Sequence, residues 1–136
     1  MEKKEVEFLL VDDDRIVLML HEASLIRNKV TSEPKSFLNG PEALAYIREQ
    51  YPKGKHFVIL LDIYMPEMDG WEFIETLRDE DMIERSHIII VTSSVDIPDR
   101  LKVEEYPEVI HMVIKALKKQ DVEEIRKHPK LAPLLH

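Results

Sequence analysis

Cysteine is absent from the 136 residues, and glycine occurs only three times. The first absence excludes a disulfide frame, a thiol nucleophile and thiolate-based zinc binding. The second leaves isolated glycines at Gly40, Gly54 and Gly70, which excludes both the G-x-G-x-x-G turn and the P-loop as phosphate cradles. No apolar run approaches the ~20 residues that cross a bilayer, and Met1 to Val11 lacks the apolar stretch of a secretory leader. No membrane association is expected, and the expected location is the cytoplasm. Positive charge is also short: 19 Lys and Arg stand against 27 Asp and Glu, a net charge of −8. Contacts to a phosphate backbone need clustered cations, so nucleic acid is not an expected partner.

What is present suits one soluble globular domain, with 44% hydrophobic and 34% charged residues. Charge is unevenly placed. Asp62 to Glu84 holds nine acidic side chains and one basic, Arg78, whereas Lys115 onward holds six basic and three acidic. Four apolar runs punctuate the chain: Val6 to Val11, Phe57 to Leu61, Ile88 to Val91 and Val109 to Ile114. They are continuous and rich in Val and Ile, the pattern of strands buried on both faces of a parallel sheet. Val30 to Phe37 is a fifth candidate, and Pro34 confines it to an edge.

Helical patterns lie between the runs. Ile16, Met19, Leu20, Ala23 and Ile26 repeat at helical spacing after Asp14, a suitable N-cap. Asn39-Gly40-Pro41 opens a second helix carrying Ala43, Leu44 and Ile47. Phe73, Ile74 and Leu77 mark a third after Gly70. Pro98 opens a fourth, with Leu101 and the stem of Lys102 expected inside, and Val122 and Ile125 mark a fifth. Pro129 and Pro133 predict an irregular tail over 128–136. Strand and helix alternate five times, which predicts a three-layer α/β sandwich over 1–127 with right-handed crossovers.

The polar residues that end the apolar runs all fall at carboxyl ends: Asp12, Asp13 and Asp14, then Asp62, then Thr92 with Ser93 and Ser94, then Lys115. In an open parallel sheet, ligands bind in the crevice beyond those ends. Taken alone, the acidic triple reads as a solvated turn with a helix cap. Brought together with Asp62, the carboxylates repel by about 4 kcal/mol per close pair at an effective dielectric near 20. Such a cluster takes up protons or holds a cation, and hard oxygen ligands suit Mg²⁺. A carboxylate beside Mg²⁺ can accept a phosphoryl group, with Lys115 and the Thr92 hydroxyl supplying charge and a hydrogen bond. The six histidines show no metal spacing, and surface exposure or core packing is expected for each.

These residues carry a resemblance. Val11-Asp12-Asp13-Asp14, Leu61-Asp62-Ile63-Tyr64-Met65-Pro66-Glu67-Met68-Asp69-Gly70, Val91-Thr92-Ser93 and Ile114-Lys115 together resemble the receiver domain of two-component response regulators, over roughly residues 5 to 127. The resemblance implies a flavodoxin-like doubly wound sheet of five parallel strands in the order 2-1-3-4-5. It implies Asp62 as phosphoacceptor, Asp12 and Asp13 as the acidic pair with Asp13 the more direct Mg²⁺ ligand, and the Tyr64 backbone carbonyl as a further ligand. Thr92 takes the place of the switch hydroxyl and Lys115 that of the family's lysine. The implied donor is a phosphohistidine on a sensor histidine kinase or histidine phosphotransfer protein. The implied output is a downstream protein bound at the face of the fourth helix, fifth strand and fifth helix, and a homodimer is admitted. Such a protein catalyses its own phosphorylation and slow dephosphorylation without being a turnover enzyme, and a tail ending at His136 predicts a single-domain regulator.

Three positions depart from the family pattern. Ala116 stands where proline follows the lysine. A non-prolyl cis bond costs about 3–4 kcal/mol, so a trans bond or a rearranged loop is expected, putting the reach of Lys115 in question. Met112 replaces the aromatic switch residue, which predicts weak coupling to Thr92, with Tyr106 as a partial substitute. Tyr64, with Ser94 opposite, borders the path of attacking water and predicts slow hydrolysis. Two further readings follow: a receiver-like interaction scaffold that works without phosphorylation, motivated by Met112 and Ala116, and a phosphatase of the haloacid-dehalogenase type. Tyr64 opposes the second, since such sites want an Asp there.

Overall fold

A computed structural model of the chain describes residues 5–93 and 97–135, and the side chains of 97–99 fall outside the description. Ser94 and His136 therefore lie outside the described residues. Five strands, β1 (Val6–Val11), β2 (Lys35–Phe37), β3 (His56–Leu61), β4 (Ser86–Thr92) and β5 (Val109–Ile114), form one sheet. They run parallel in the order β2-β1-β3-β4-β5. Between and after them lie α1 (Arg15–Arg27), α2 (Gly40–Gln50), α3 (Gly70–Asp79), α4 (Ile97–Val103) and α5 (Lys119–Lys127).

The unbroken apolar runs are explained by two cores, one on each face of the sheet. Leu9, Val11, Phe57, Ile59, Leu61, Ile88 and Ile90 pack on one face with Leu44 and Ile47 of α2 and Phe73, Ile74 and Leu77 of α3. Phe8, Leu10, Val58, Leu60, Ile89, Val91 and Val113 pack on the other with Leu18 and Leu25 of α1 and Val122 and Ile125 of α5. Successive strand residues point to opposite faces, so a strand covered by helices on both sides has no polar phase. Order 2-1-3-4-5 and the doubly wound class agree with the expectation.

The first two helix caps fall where the sequence places them. Asp14 accepts from the Ile16 and Val17 amides, and Asn39 accepts from the Glu42 amide. Asp69 and Glu72 form a reciprocal capping box at α3, which satisfies two donors otherwise orphaned at a helix start.

Three expectations need correction. The edge strand is shorter than 30–37. It begins directly after Pro34 and spans Lys35–Phe37, because proline has no amide to give the ladder. In α1 the expected apolar stripe faces outward: Ile16 is 69% exposed, Met19 63% and Leu20 53%. The inward face is Leu18, His21, Ser24 and Leu25, two of them polar, so periodicity of apolar residues selects the wrong side. In α4, Leu101 is 60% exposed and Lys102 is also exposed. Val103 instead meets the core, and the Lys102 ammonium lies 5.3 Å from the Trp71 ring centre, within cation–π range.

The segment 128–135 is packed against the domain. Turns after α5 carry Leu131 to complete burial in the α1/α5-side core, with Leu134 and Leu135 packed beside it.

Candidate functional site

Beyond the carboxyl ends of the strands, the fold brings Asp12, Asp13 and Asp62 together, with one carboxylate oxygen from each lying within 4.8 Å of the others. Asp12 follows β1. Its amide donates to Phe37 O at 3.1 Å, and its Oδ1 accepts from the Asp14 amide at 2.9 Å. Asp13 is exposed while Asp12 is buried. The acidic triple thus divides its work, since Asp14 caps α1 while the other two face the crevice.

Asp62 follows β3, with its amide bonded to Val11 O at 3.0 Å, and only 4% of it is exposed. The Tyr64 amide approaches Asp62 Oδ1 at 3.4 Å, and the Tyr64 side chain is exposed. Gly70 makes this placement feasible. A Cβ there would lie 2.9 Å from both Asp62 O and Ile63 Cα, closer than real packing allows. The Gly70 amide instead donates to Ile63 O at 2.8 Å, pressing the start of α3 against the Asp62 backbone.

Lys115 closes the cluster. Its Nζ lies 2.7 Å from Asp12 Oδ2 and 3.4 Å from Asp62 Oδ2. Burial pulls the ammonium's pKa down, but the bond to Asp12 and the charges of Asp62 and Asp12 outweigh it and raise the net value. Among the described residues, one cation nonetheless serves two buried carboxylates. Burial first, and the charge of Asp12 second, push Asp62 up to about 6 despite the opposing pull of Lys115 and the Tyr64 amide. The carboxylates therefore retain uncompensated negative charge, the donor set and electrostatics that suit a hard divalent cation.

The expectation of a trans bond after Lys115 is overturned: Lys115–Ala116 is cis. Intrinsic cost was the only ground for trans, whereas the fold holds the amides on both sides. Lys115 N donates to Thr92 O at 2.8 Å, and Leu117 N donates to His21 Nε2 at 3.3 Å. The reach of Lys115 is intact. His21 is a participant that sequence reasoning did not find. Burial holds its pKa low, with the Lys115 charge acting in the same direction and Asp12 against it. Nε2 is thereby kept as an acceptor, and nothing in the spacing of α1 signals that role.

Thr92, at the end of β4, is fully buried and is joined to Lys115 through its carbonyl. Met112 is half-buried against the α2/α3-side core. Tyr106 is buried, with Trp71 4.9 Å from it between ring centres and the Arg78 guanidinium 4.6 Å from its own.

The receiver-domain profile of response regulators matches residues 8–128. The chain belongs to the response regulator receiver domain family. A solved two-component response regulator from Cytophaga hutchinsonii is similar at 30% identity and a TM-score of 0.80, over 90% of this chain and 94% of that one. A response regulator receiver protein from Dyadobacter fermentans gives 29% identity and 0.79, over 90% and 95%. The probable transcriptional regulator ycf27 of Porphyra purpurea is 31% identical over 74% of this chain and 38% of its own length. The chain thus spans well under half of that curated relative. Receiver domains generally bind Mg²⁺ in an acidic pocket, and Asp12, Asp13 and Asp62 form such a pocket here.

Proposed function

We propose that this receiver domain accepts a phosphoryl group on Asp62 from a phosphohistidine donor and thereby switches a protein-binding surface. The carrying observation is the buried Asp62, short of positive charge, beside Asp12, Asp13 and Lys115. Asp12, Asp13, Asp62 and the Tyr64 carbonyl would hold Mg²⁺, which when bound supplies charge against the transferred phosphoryl oxygens.

The rest falls to the chain's own groups. An Asp62 oxygen attacks phosphorus, the P–N bond to the donor imidazole breaks, and its electron pair leaves with the imidazole. Lys115 keeps positive charge beside the new acyl phosphate. The Thr92 hydroxyl, at the end of β4, donates to a phosphoryl oxygen, and that pull is transmitted to the face formed by α4, β5 and α5. Asp62 is consumed and regenerated by slow hydrolysis, so the domain is a phosphoacceptor, not a turnover enzyme. The exposed Tyr64 ring borders the approach of water and slows that hydrolysis.

The donor reaches the site along α1. Ile16, Met19, Leu20 and Ile26 are exposed on a helix that starts directly after the acidic triple. Such a stripe suits an apolar helical partner.

Incubation with Mg²⁺ and a small acyl phosphate, followed by intact-mass measurement, tests the chemistry. One phosphoryl increment is expected, absent with a chelator and absent in Asp62→Asn. An unchanged mass in the native protein overturns the proposal and favours the interaction scaffold.

A further inference from the structure

On the opposite side of β5 from Met112, a second set of donor atoms converges. His111 of β5 and Asp121 and Glu124 of α5 each offer one ligand atom, all within 4.8 Å of one another. Asp121 and Glu124 are three residues apart on a helix, hence on one face. Their helix packs on β5 through Val122 and Ile125 against Val113. The set is therefore a product of tertiary packing and has no local sequence spacing.

The state of His111 Nε2 is an independent observation. The atom is buried and makes no hydrogen bond among the described residues. Glu124 Oε2 stands 3.2 Å from it, an ion pair when the imidazole is protonated, but outside hydrogen-bonding geometry, and the His111 side chain as a whole is 27% exposed. A metal ion held between the two takes the place of the proton in that pair and satisfies the nitrogen. A tetrahedral shell with bonds of about 2.0–2.2 Å sets its ligand atoms about 3.3–3.6 Å apart. The His111–Glu124 pair already has nearly that separation. Asp121 caps α5 by accepting from the Lys118 amide at 2.9 Å, and a carboxylate retains lone pairs for a second partner.

We infer that His111, Asp121 and Glu124 form a binding site for a zinc-class divalent cation, separate from the acidic pocket. An imidazole ligand disfavours Mg²⁺ and Ca²⁺, which take oxygen, and one nitrogen with two carboxylates suits Zn²⁺. Three protein ligands leave a fourth position for water. A bound ion ties α5 to β5, the edge strand whose end carries Lys115. The inference rests on packing alone and stands whether or not Asp62 is phosphorylated.

Zn²⁺ is titrated calorimetrically into the whole chain with excess Mg²⁺ present, which competes for the carboxylates at the strand ends. One site is expected whose affinity falls at least tenfold in His111→Gln and in Glu124→Gln, and is unchanged in His87→Gln. Glu124 is exposed, so its variant tests the site without risk to the core. The His111 imidazole proton resonances are expected to shift at substoichiometric Zn²⁺. Equal affinity in native protein and both site variants, or unshifted His111 resonances, overturns the inference.

Discussion

Asp62 is a carboxylate whose ionised form the fold disfavours. Burial and the nearby Asp12 raise its pKa to about 6, so ionisation opposes folding above that pH and has no cost below the ordinary carboxylate value. Asp62→Asn is accordingly expected to stabilise the metal-free protein at pH 8 by about 1–2 kcal/mol, read as a higher urea midpoint in a chelator. A lower midpoint contradicts this electrostatic account. At this scale the sequence was informative about charge and uninformative about connection. Asp12, Asp13, Asp62, Thr92 and Lys115 were legible because hydrophilic residues ending apolar runs must emerge at one sheet edge. His21 was not, because its hydrogen bond to Leu117 joins residues far apart in the chain.

Among the elements, α1 separates stability from recognition. Its buried Leu25 belongs to the core, whereas Met19 is 63% exposed. Leu25→Ala is expected to cost about 2–5 kcal/mol. Met19→Glu is expected to change the unfolding midpoint little while slowing phosphoryl transfer from a phosphohistidine protein, with transfer from a small acyl phosphate unchanged. Equal slowing from both donors sinks the proposed role of the stripe. The helix itself was legible from its cap and periodicity, but its orientation was not. Inward His21 and Ser24 make the buried face less apolar than the exposed one. Pattern reading ranks faces by hydrophobicity and so chose the outer one. The edge strand β2 is a mixed case: Pro34 marks it as an edge, whereas its start is legible only in the structure, at Lys35 rather than Val30.

At the scale of the molecule, both sheet cores were readable from four apolar runs, because burial on two faces leaves no other composition possible. Less readable was the α1/α5 side at the amino ends of the strands, where histidines gather. The His56 and His87 rings are nearly parallel, 10° apart, with centres separated by 5.6 Å. Burial, then the charges of His56, Lys130 and His128, lower the His87 pKa to about 4. The unfolded chain takes up this proton at a higher pH than the folded one. The contribution is fully present above pH 6.5 and is lost as pH falls toward 4. About 1–2 kcal/mol of stability is expected to disappear between pH 7 and pH 5 through His87. His21 and His128, both also lowered, act in the same direction. His87→Gln is expected to flatten the decline in urea midpoint, and an unchanged slope refutes the assignment.

The pair joining Lys115 to Asp12 at 2.7 Å links residues roughly a hundred positions apart in sequence. During synthesis, β1 and β3 can present their acids long before β5 has been made. The cation that offsets part of this charge arrives with the final strand, so a paired β1 and β3 carry the larger repulsion until β5 is made. Relief of that repulsion is a late event, begun when the last strand docks, and the ion pair doubles as a record that the sheet has been finished.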